Sequence, residues 1–220
     1  MSEPLVDLQN IQLRGDRGGH VFTDLCFSLQ PGQSAVITGG AGAGKTLLVQ
    51  LLLGIRLPDS GVVRLFGQEL RSSSGRATRK IRRQIGGVGG TFELVPSMTV
   101  SENITLPLVI GGERKKVQKE RLLRSLSEFS LLKLAGKYPD SLTRVENTLT
   151  QFARATIANQ PLIIIDEPLA GLDHGTAARV FESLVRVALS GRSMLILASD
   201  PPQAQIPNSV AFSLSGGILE

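Results

Sequence analysis

The run Gly39-Gly40-Ala41-Gly42-Ala43-Gly44-Lys45-Thr46 constrains this chain more than any other stretch, because apolar residues frame it on both sides. Ser34 to Thr38 reads as a strand leading in, and Leu47 to Ile55 as a helix leading out. Glycines at this spacing let successive backbone N–H groups turn inward around a polyphosphate, and the following helix adds the partial positive charge of its N-terminus. In that geometry Lys45 reaches the β and γ phosphates and Thr46 offers its hydroxyl to Mg²⁺. The nucleotide-binding set is therefore Gly39, Gly40, Ala41, Gly42, Ala43, Gly44, Lys45 and Thr46. A chance glycine-rich turn would lack the strand and helix around it.

A second motif agrees. Leu162-Ile163-Ile164-Ile165 is apolar at every position, the pattern of a strand covered on both faces in a parallel sheet, and it delivers Asp166-Glu167-Pro168 to its carboxyl end. Ligands of open α/β sheets bind at that edge. Asp166 is then a candidate to position the metal, and Glu167 to polarise the water that attacks a γ phosphate.

With 220 residues, 41% of them hydrophobic, the chain can bury a full core, and disorder is excluded. Met1-Ser2-Glu3-Pro4 lacks the features of a signal peptide, and Gln50 and Gly54 interrupt the longest apolar helix well short of a bilayer span. Cys26 is the single cysteine; standing between apolar neighbours, it reads as a buried, inert thiol. Leu5 to Leu13 and Val21 to Leu29 read as paired strands, and Gly61 to Phe66 as another after the Pro58-Asp59-Ser60-Gly61 turn. From about Thr99 to Asn159 the periodicity is helical, including Glu113 to Phe129 with apolar Val117, Leu122, Leu123, Leu126 and Phe129. The end returns to α/β: a helix from Thr176 to Leu189, a strand from Met194 to Ala198, and a hairpin around Gly216-Gly217.

With these parts in order, the chain resembles the ATP-binding subunits of ABC transporters over essentially its whole length. Ala170-Gly171-Leu172-Asp173 follows the acidic pair at that family's D-loop position. Leu106-Pro107-Leu108-Val109-Ile110-Gly111-Gly112 is similar to the helical subdomain of the FtsE and LolD branch, as are Thr38-Gly39 and the ending at Gly216-Gly217. The resemblance implies an α/β P-loop NTPase fold: a RecA-like core, an antiparallel β subdomain and an inserted helical subdomain. It places the core at about 1–88 and 160–220 and the helical subdomain at about 89–159 of a single domain. It further implies ATP and Mg²⁺ as cofactors, with Glu167 catalytic and Thr46 and Asp166 at the metal. The partners it implies are a membrane-spanning permease-like subunit and a second cassette, as homodimer or heterodimer, with the chain peripheral on the cytoplasmic face of the cell membrane.

Several positions depart from the family pattern. The signature segment, which in this family caps the γ phosphate of a second subunit, falls at Leu142-Thr143-Arg144-Val145-Glu146 and has lost both glycines. Arg144 and Val145 put side chains where backbone should approach, and Glu146 brings negative charge. Leu214-Ser215-Gly216-Gly217 spells most of the signature in a terminal strand and turn with no helix behind it. The glutamine that contacts Mg²⁺ and the attacking water falls at Gly90, and the switch histidine at Ser199, which can still donate one hydrogen bond to a γ phosphate. Leu47 replaces a second hydroxyl, and the adenine-stacking slot falls near Arg14 or Gly15.

Net charge is +5, with basic clusters at Arg76 to Arg83 and Arg114 to Arg124. Interspersed Glu113, Glu120 and Glu128 make a solvated face the first reading, with a patch beside anionic lipid second. Nucleic acid comes third, because aromatic residues are only 4% of the chain and stacking platforms are scarce. His20 and His174 have no ligand-like spacing. The expected function is ATP binding with slow hydrolysis that drives or regulates a membrane-spanning partner; the alternatives are a subunit that binds ATP without turnover and a non-transport protein acting on nucleic acid. A groove near Gly90 to Pro107, lined by Phe92, Leu94 and Met98, is the expected docking site for a partner helix.

Overall fold

The computed structural model describes residues 3–15, 18–172, 174–202 and 204–220, and the side chain of His174 is not among them. Met1, Ser2 and Asp173 therefore lie outside the described residues, as does any role for the His174 imidazole.

Strands β1 (Val6–Arg14) and β2 (His20–Leu29) alternate inward and outward along most of their length, as a sheet with one buried face requires. They form an antiparallel sheet with β4 (Ser60–Leu65) and β5 (Gln68–Glu69), in the order β2-β1-β4-β5. The same alternation corrects the expectation for Cys26. Leu25 and Phe27 point inward, so Cys26 between them is exposed, and its Sγ accepts the Asn10 N–H at 3.3 Å.

A second sheet carries the core. It contains β3 (Ser34–Thr38), β6 (Ile85–Gly89), β7 (Leu162–Asp166), β8 (Ser193–Ala198), β9 (Ser209–Ser215) and β10 (Ile218–Leu219). Its order is β10-β9-β3-β8-β7-β6, parallel throughout except for the closing β9/β10 hairpin. The uninterrupted apolar run of β7 follows from cover on both faces. Leu162 and Ile164 join the cluster formed with α1 (Lys45–Leu52) and the antiparallel sheet, while Ile163 and Ile165 join the cluster beneath the later helices. Each such side chain removed from water contributes about 1.5–3 kcal/mol before entropy is counted. Leu214-Ser215-Gly216-Gly217 lies in the β9/β10 hairpin, as expected of a chance resemblance.

The remaining helices are α2 (Arg76–Arg82), α3 (Val100–Ile110), α4 (Lys115–Glu128), α5 (Arg144–Thr156) and α6 (His174–Leu189). On α4 Leu126 is buried, Val117 and Leu122 are half-buried, and Leu123 is exposed. Both α3 and α5 open with a full capping box: Thr99 pairs with Glu102, and Thr143 with Glu146. These boxes hold both carboxyls below the ordinary glutamate range, first through the backbone N–H of the capping threonine and then through its hydroxyl.

Fully buried Asn103 ties the loop before α3 by accepting from Val95 N–H at 2.8 Å and donating to the carbonyls of Val95, Met98 and Thr99. That loop turns Leu94 inward, where it is 5% exposed, and leaves Met98 half-buried outside the groove lining. Of the expected docking residues only Phe92 lines the groove, a space of about 580 Å³ shared with Leu106, Pro107 and Ile110. Arg154 anchors its floor by donating to the carbonyls of Phe92 and Glu93 at 2.5 and 2.9 Å.

Candidate functional site

Parallel pairing of β3, β8 and β7 brings their carboxyl ends together, so the glycine loop, Ser199 and the acidic pair meet at one edge. The loop turns tightly at Gly44, whose φ is 104°; a Cβ there would also lie 2.8 Å from the ring of Phe22. Only glycine takes that conformation in that space. Among the described residues the backbone N–H groups of Gly40, Ala41, Gly42 and Gly44 donate to no other group, which leaves a concave set of donors open to an anion.

Lys45 is only 9% exposed and its ammonium is fully engaged. Nζ donates to the carbonyls of Gly39 at 2.5 Å and Gly40 at 3.4 Å, and lies 3.3 Å from Ser199 Oγ. It also pairs with Glu167 Oε1 at 3.2 Å. Ser199 completes this clasp from the other side: its hydroxyl donates to Glu167 Oε1 at 2.5 Å and its N–H to Oε2 at 3.1 Å. Expected to face a γ phosphate, Ser199 instead spends its donors on Glu167. The backbone of Glu167 is left-handed, with φ 53°, a conformation that costs a non-glycine residue roughly 1–3 kcal/mol and is held by its N–H bond to Leu197 O at 2.9 Å. Burial pushes the Glu167 carboxyl up. The Ser199 hydroxyl, the Lys45 ammonium and the Ser199 N–H outweigh it, so the group lies below the ordinary glutamate range.

Asp166 has the opposite environment. It is 5% exposed, and among the described residues no donor serves its carboxylate. Burial first, then repulsion from Glu167, raise its carboxyl above the ordinary aspartate range against the attraction of Lys45. A nearly buried carboxylate without a donor fits a hard cation, and the exposed Thr46 hydroxyl at the start of α1 is a second oxygen of the type Mg²⁺ takes. The departure at Gly90 has a steric reason: a Cβ there would collide with Asp166 Oδ2. Glutamine is excluded at this position as long as Asp166 keeps its place.

The signature-like segment also differs from expectation. The Glu146 carboxylate accepts from Thr143 N–H at 2.8 Å and its hydroxyl at 2.9 Å, so its charge caps its own helix. Arg144 Nη1 reaches across to the carbonyls of Ala170 at 3.1 Å and Gly171 at 3.0 Å, fastening the segment after the acidic pair. Val145 turns into the core. Gln151 escaped the sequence reading: its Oε1 accepts the Gly89 N–H at 2.6 Å and its Nε2 donates to Asn147. The glycines of β6 were the available signal, since a strand so poor in side chains must be filled from elsewhere. Gln151, Asn147, Arg144 and Glu167 border one cleft of about 530 Å³.

The family model described as ABC transporter matches residues 22–170. An uncharacterised ABC transporter ATP-binding protein of Mycobacterium tuberculosis is 31% identical over 99% of this chain and 89% of the relative. The cell division ATP-binding protein FtsE of Escherichia coli is 31% identical over 79% of each chain. Among solved structures, a dimeric ATP-binding cassette in a post-hydrolysis state with ADP and phosphate superposes with TM-score 0.83 at 24% identity, covering 98% of this chain and 96% of that one. A cassette of the cbiONQ transporter complex from Clostridium perfringens gives 0.83 at 21% identity, covering 100% and 88%. The two structures establish the P-loop NTPase fold, and the sequence matches establish that the chain belongs to the ABC transporter family, among its ATP-binding subunits.

Proposed function

We propose that the chain binds ATP at the glycine loop and turns it over slowly to drive or regulate a membrane-spanning partner. The observation that carries this reading is the open row of N–H donors beside Lys45, at the same edge as Asp166 and Glu167. A triphosphate competes with Glu167 for the Lys45 ammonium, because the phosphate oxygens bring more charge than one carboxylate. Thr46 and Asp166 would hold Mg²⁺, which neutralises phosphate charge. Release from Lys45 frees one face of Glu167 to act as general base toward water, while the two Ser199 donors keep the carboxylate oriented.

Turnover is slow on this reading because Gly90 offers no side-chain amide and Ser199 is committed to Glu167. Arg144, whose guanidinium is bonded to the Ala170 and Gly171 carbonyls, stands in the segment where glycines would offer backbone donors to a second subunit's nucleotide, and each lost preorganised donor typically lowers the rate about 10²–10³-fold. A cassette dimer, as homodimer or with a second type of subunit, is the working form, since relatives with this fold are solved as dimers. The helical segment about 89–159 then forms the inserted subdomain, and the groove at Phe92, Leu106, Pro107 and Ile110 receives a helix of the permease-like partner on the cytoplasmic side. Among the described residues no helix is long and apolar enough to cross a membrane.

A second reading, ATP binding without turnover, draws on the same clasp, because Glu167 is held by Lys45 and Ser199 at once. Titration of Mg-ATP separates both readings from a chance glycine turn. Lys45→Ala is expected to weaken binding by about 1.5–3 kcal/mol, roughly ten- to a hundredfold. Equal affinity of the two proteins would remove the nucleotide from the loop.

A further inference from the structure

We propose a second anion site, for a small phosphate-bearing ligand, at the end of the sheet opposite the glycine loop. Helices α4, α5 and α6 all end around one cleft of about 350 Å³, and the guanidiniums of Arg121, Arg124, Arg186 and Arg192 line it. Asn159, Ser190 and Arg192 in its wall precede the amino ends of β7 and β8, whereas the glycine loop follows the carboxyl end of the parallel strand β3. The two places are therefore separated by at least the length of a strand of 5 residues, roughly 17 Å.

Glu128 is the only carboxylate in the lining, and among the described residues none of the arginines in it forms an ion pair. Their local bonds go to neutral oxygens. Arg186 Nη1 donates to the Glu128 carbonyl at 2.7 Å, and its guanidinium lies 6.0 Å from the centre of the Phe129 ring. Arg192 donates to Ser190 Oγ at 2.7 Å and Asn159 Oδ1 at 3.2 Å. These bonds fix the two planar forks and leave further N–H donors on each, while Arg121 and Arg124 contribute charge from α4.

Part of this charge complements the helix ends. Each C-terminus carries roughly half a negative charge, so the helices together with Glu128 offset a little over half of the guanidinium charge. About one to two positive charges remain in a cleft large enough for a diphosphate, and paired guanidiniums match phosphate oxygens in bidentate geometry. The phosphate belongs either to a soluble anion or to a lipid headgroup.

The test uses the full chain carrying Lys45→Ala, which disables the loop. Calorimetric titration with pyrophosphate should show saturable binding in this background. Arg121→Gln should weaken it about tenfold, and Arg121→Gln with Arg192→Gln about a hundredfold, one charge-assisted contact for each change. The Arg121 side chain makes no hydrogen bond to another described group, so its single variant keeps the test open should Arg192→Gln unfold the chain. Flotation with phosphatidylglycerol vesicles, against phosphatidylcholine controls, runs in parallel. Pyrophosphate binding lost with the arginines identifies a soluble ligand; vesicle binding alone, lost with the same changes, identifies a lipid phosphate. Absence of saturable binding to either, or binding indifferent to both substitutions, would overturn the site.

Discussion

Asp166 and Glu167 are neighbours in sequence, yet their surroundings shift them in opposite directions, the arrangement that the two roles proposed for them call for. Asp166 sits buried without a donor, so its charge is a standing cost to the fold. Asp166→Asn should raise stability by about 0.5–2 kcal/mol, the usual gain when a functional site is relieved, and should abolish the extra melting stability given by Mg-ATP. Melting scans with and without Mg-ATP read both effects; a less stable variant would contradict the burial argument. Glu167 has the reverse sign. Its folded pKa lies below the unfolded value, so the clasp stabilises above the ordinary glutamate range and is lost as pH falls through the folded pKa. In Ser199→Ala burial still raises the carboxyl while Lys45 and the backbone N–H of residue 199 still lower it, but the hydroxyl is gone, so the acid-side loss of stability should begin at higher pH than in the wild type. An unchanged acid limb would show that the hydroxyl does not hold the carboxylate.

Among the elements, α5 and β6 carry what is unusual in this cassette. Thr143→Ala removes the hydroxyl of the α5 capping box and should cost about 1 kcal/mol in denaturant unfolding. A loss well below that would mean Glu146 caps the helix alone. Just past the end of β6, Gly90→Ala should displace Asp166 and weaken Mg-ATP binding with little effect on nucleotide binding without the metal; equal loss of both would refute that link. Sequence made much of this legible. The glycine loop, the acidic pair and the buried strand before it were readable because local spacing alone determines their geometry. The strand face of Cys26 was also written in the alternation of β2, but its apolar neighbours outweighed that period. The directions taken by Arg144, Ser199 and Leu94 were not readable, because each depends on a partner distant in the chain: the Ala170 and Gly171 carbonyls, Glu167, and a loop set by Asn103.

Across the whole molecule β6 is shared by two clefts: Gly89 lines the one that Glu167 also lines, and Ile85 to Gly87 line the groove proposed to receive a partner helix. Ile110 is 51% exposed in that groove. Ile110→Glu should leave unfolding within about 0.5 kcal/mol of wild type, yet abolish co-purification with a co-expressed permease-like subunit. Retained co-purification would move the docking face elsewhere. The proposed slow turnover of this ATP-binding subunit rests on Gly90, Ser199 and Arg144, which stand in place of donors around the γ phosphate. The most direct check is single-turnover and steady-state ATP hydrolysis by the purified chain beside Glu167→Gln, at Mg-ATP concentrations that saturate both. Saturable binding with wild-type turnover only slightly above the variant is the expected result. Fast wild-type turnover, abolished by Glu167→Gln, would contradict the account and show that those replacements do not impair the site.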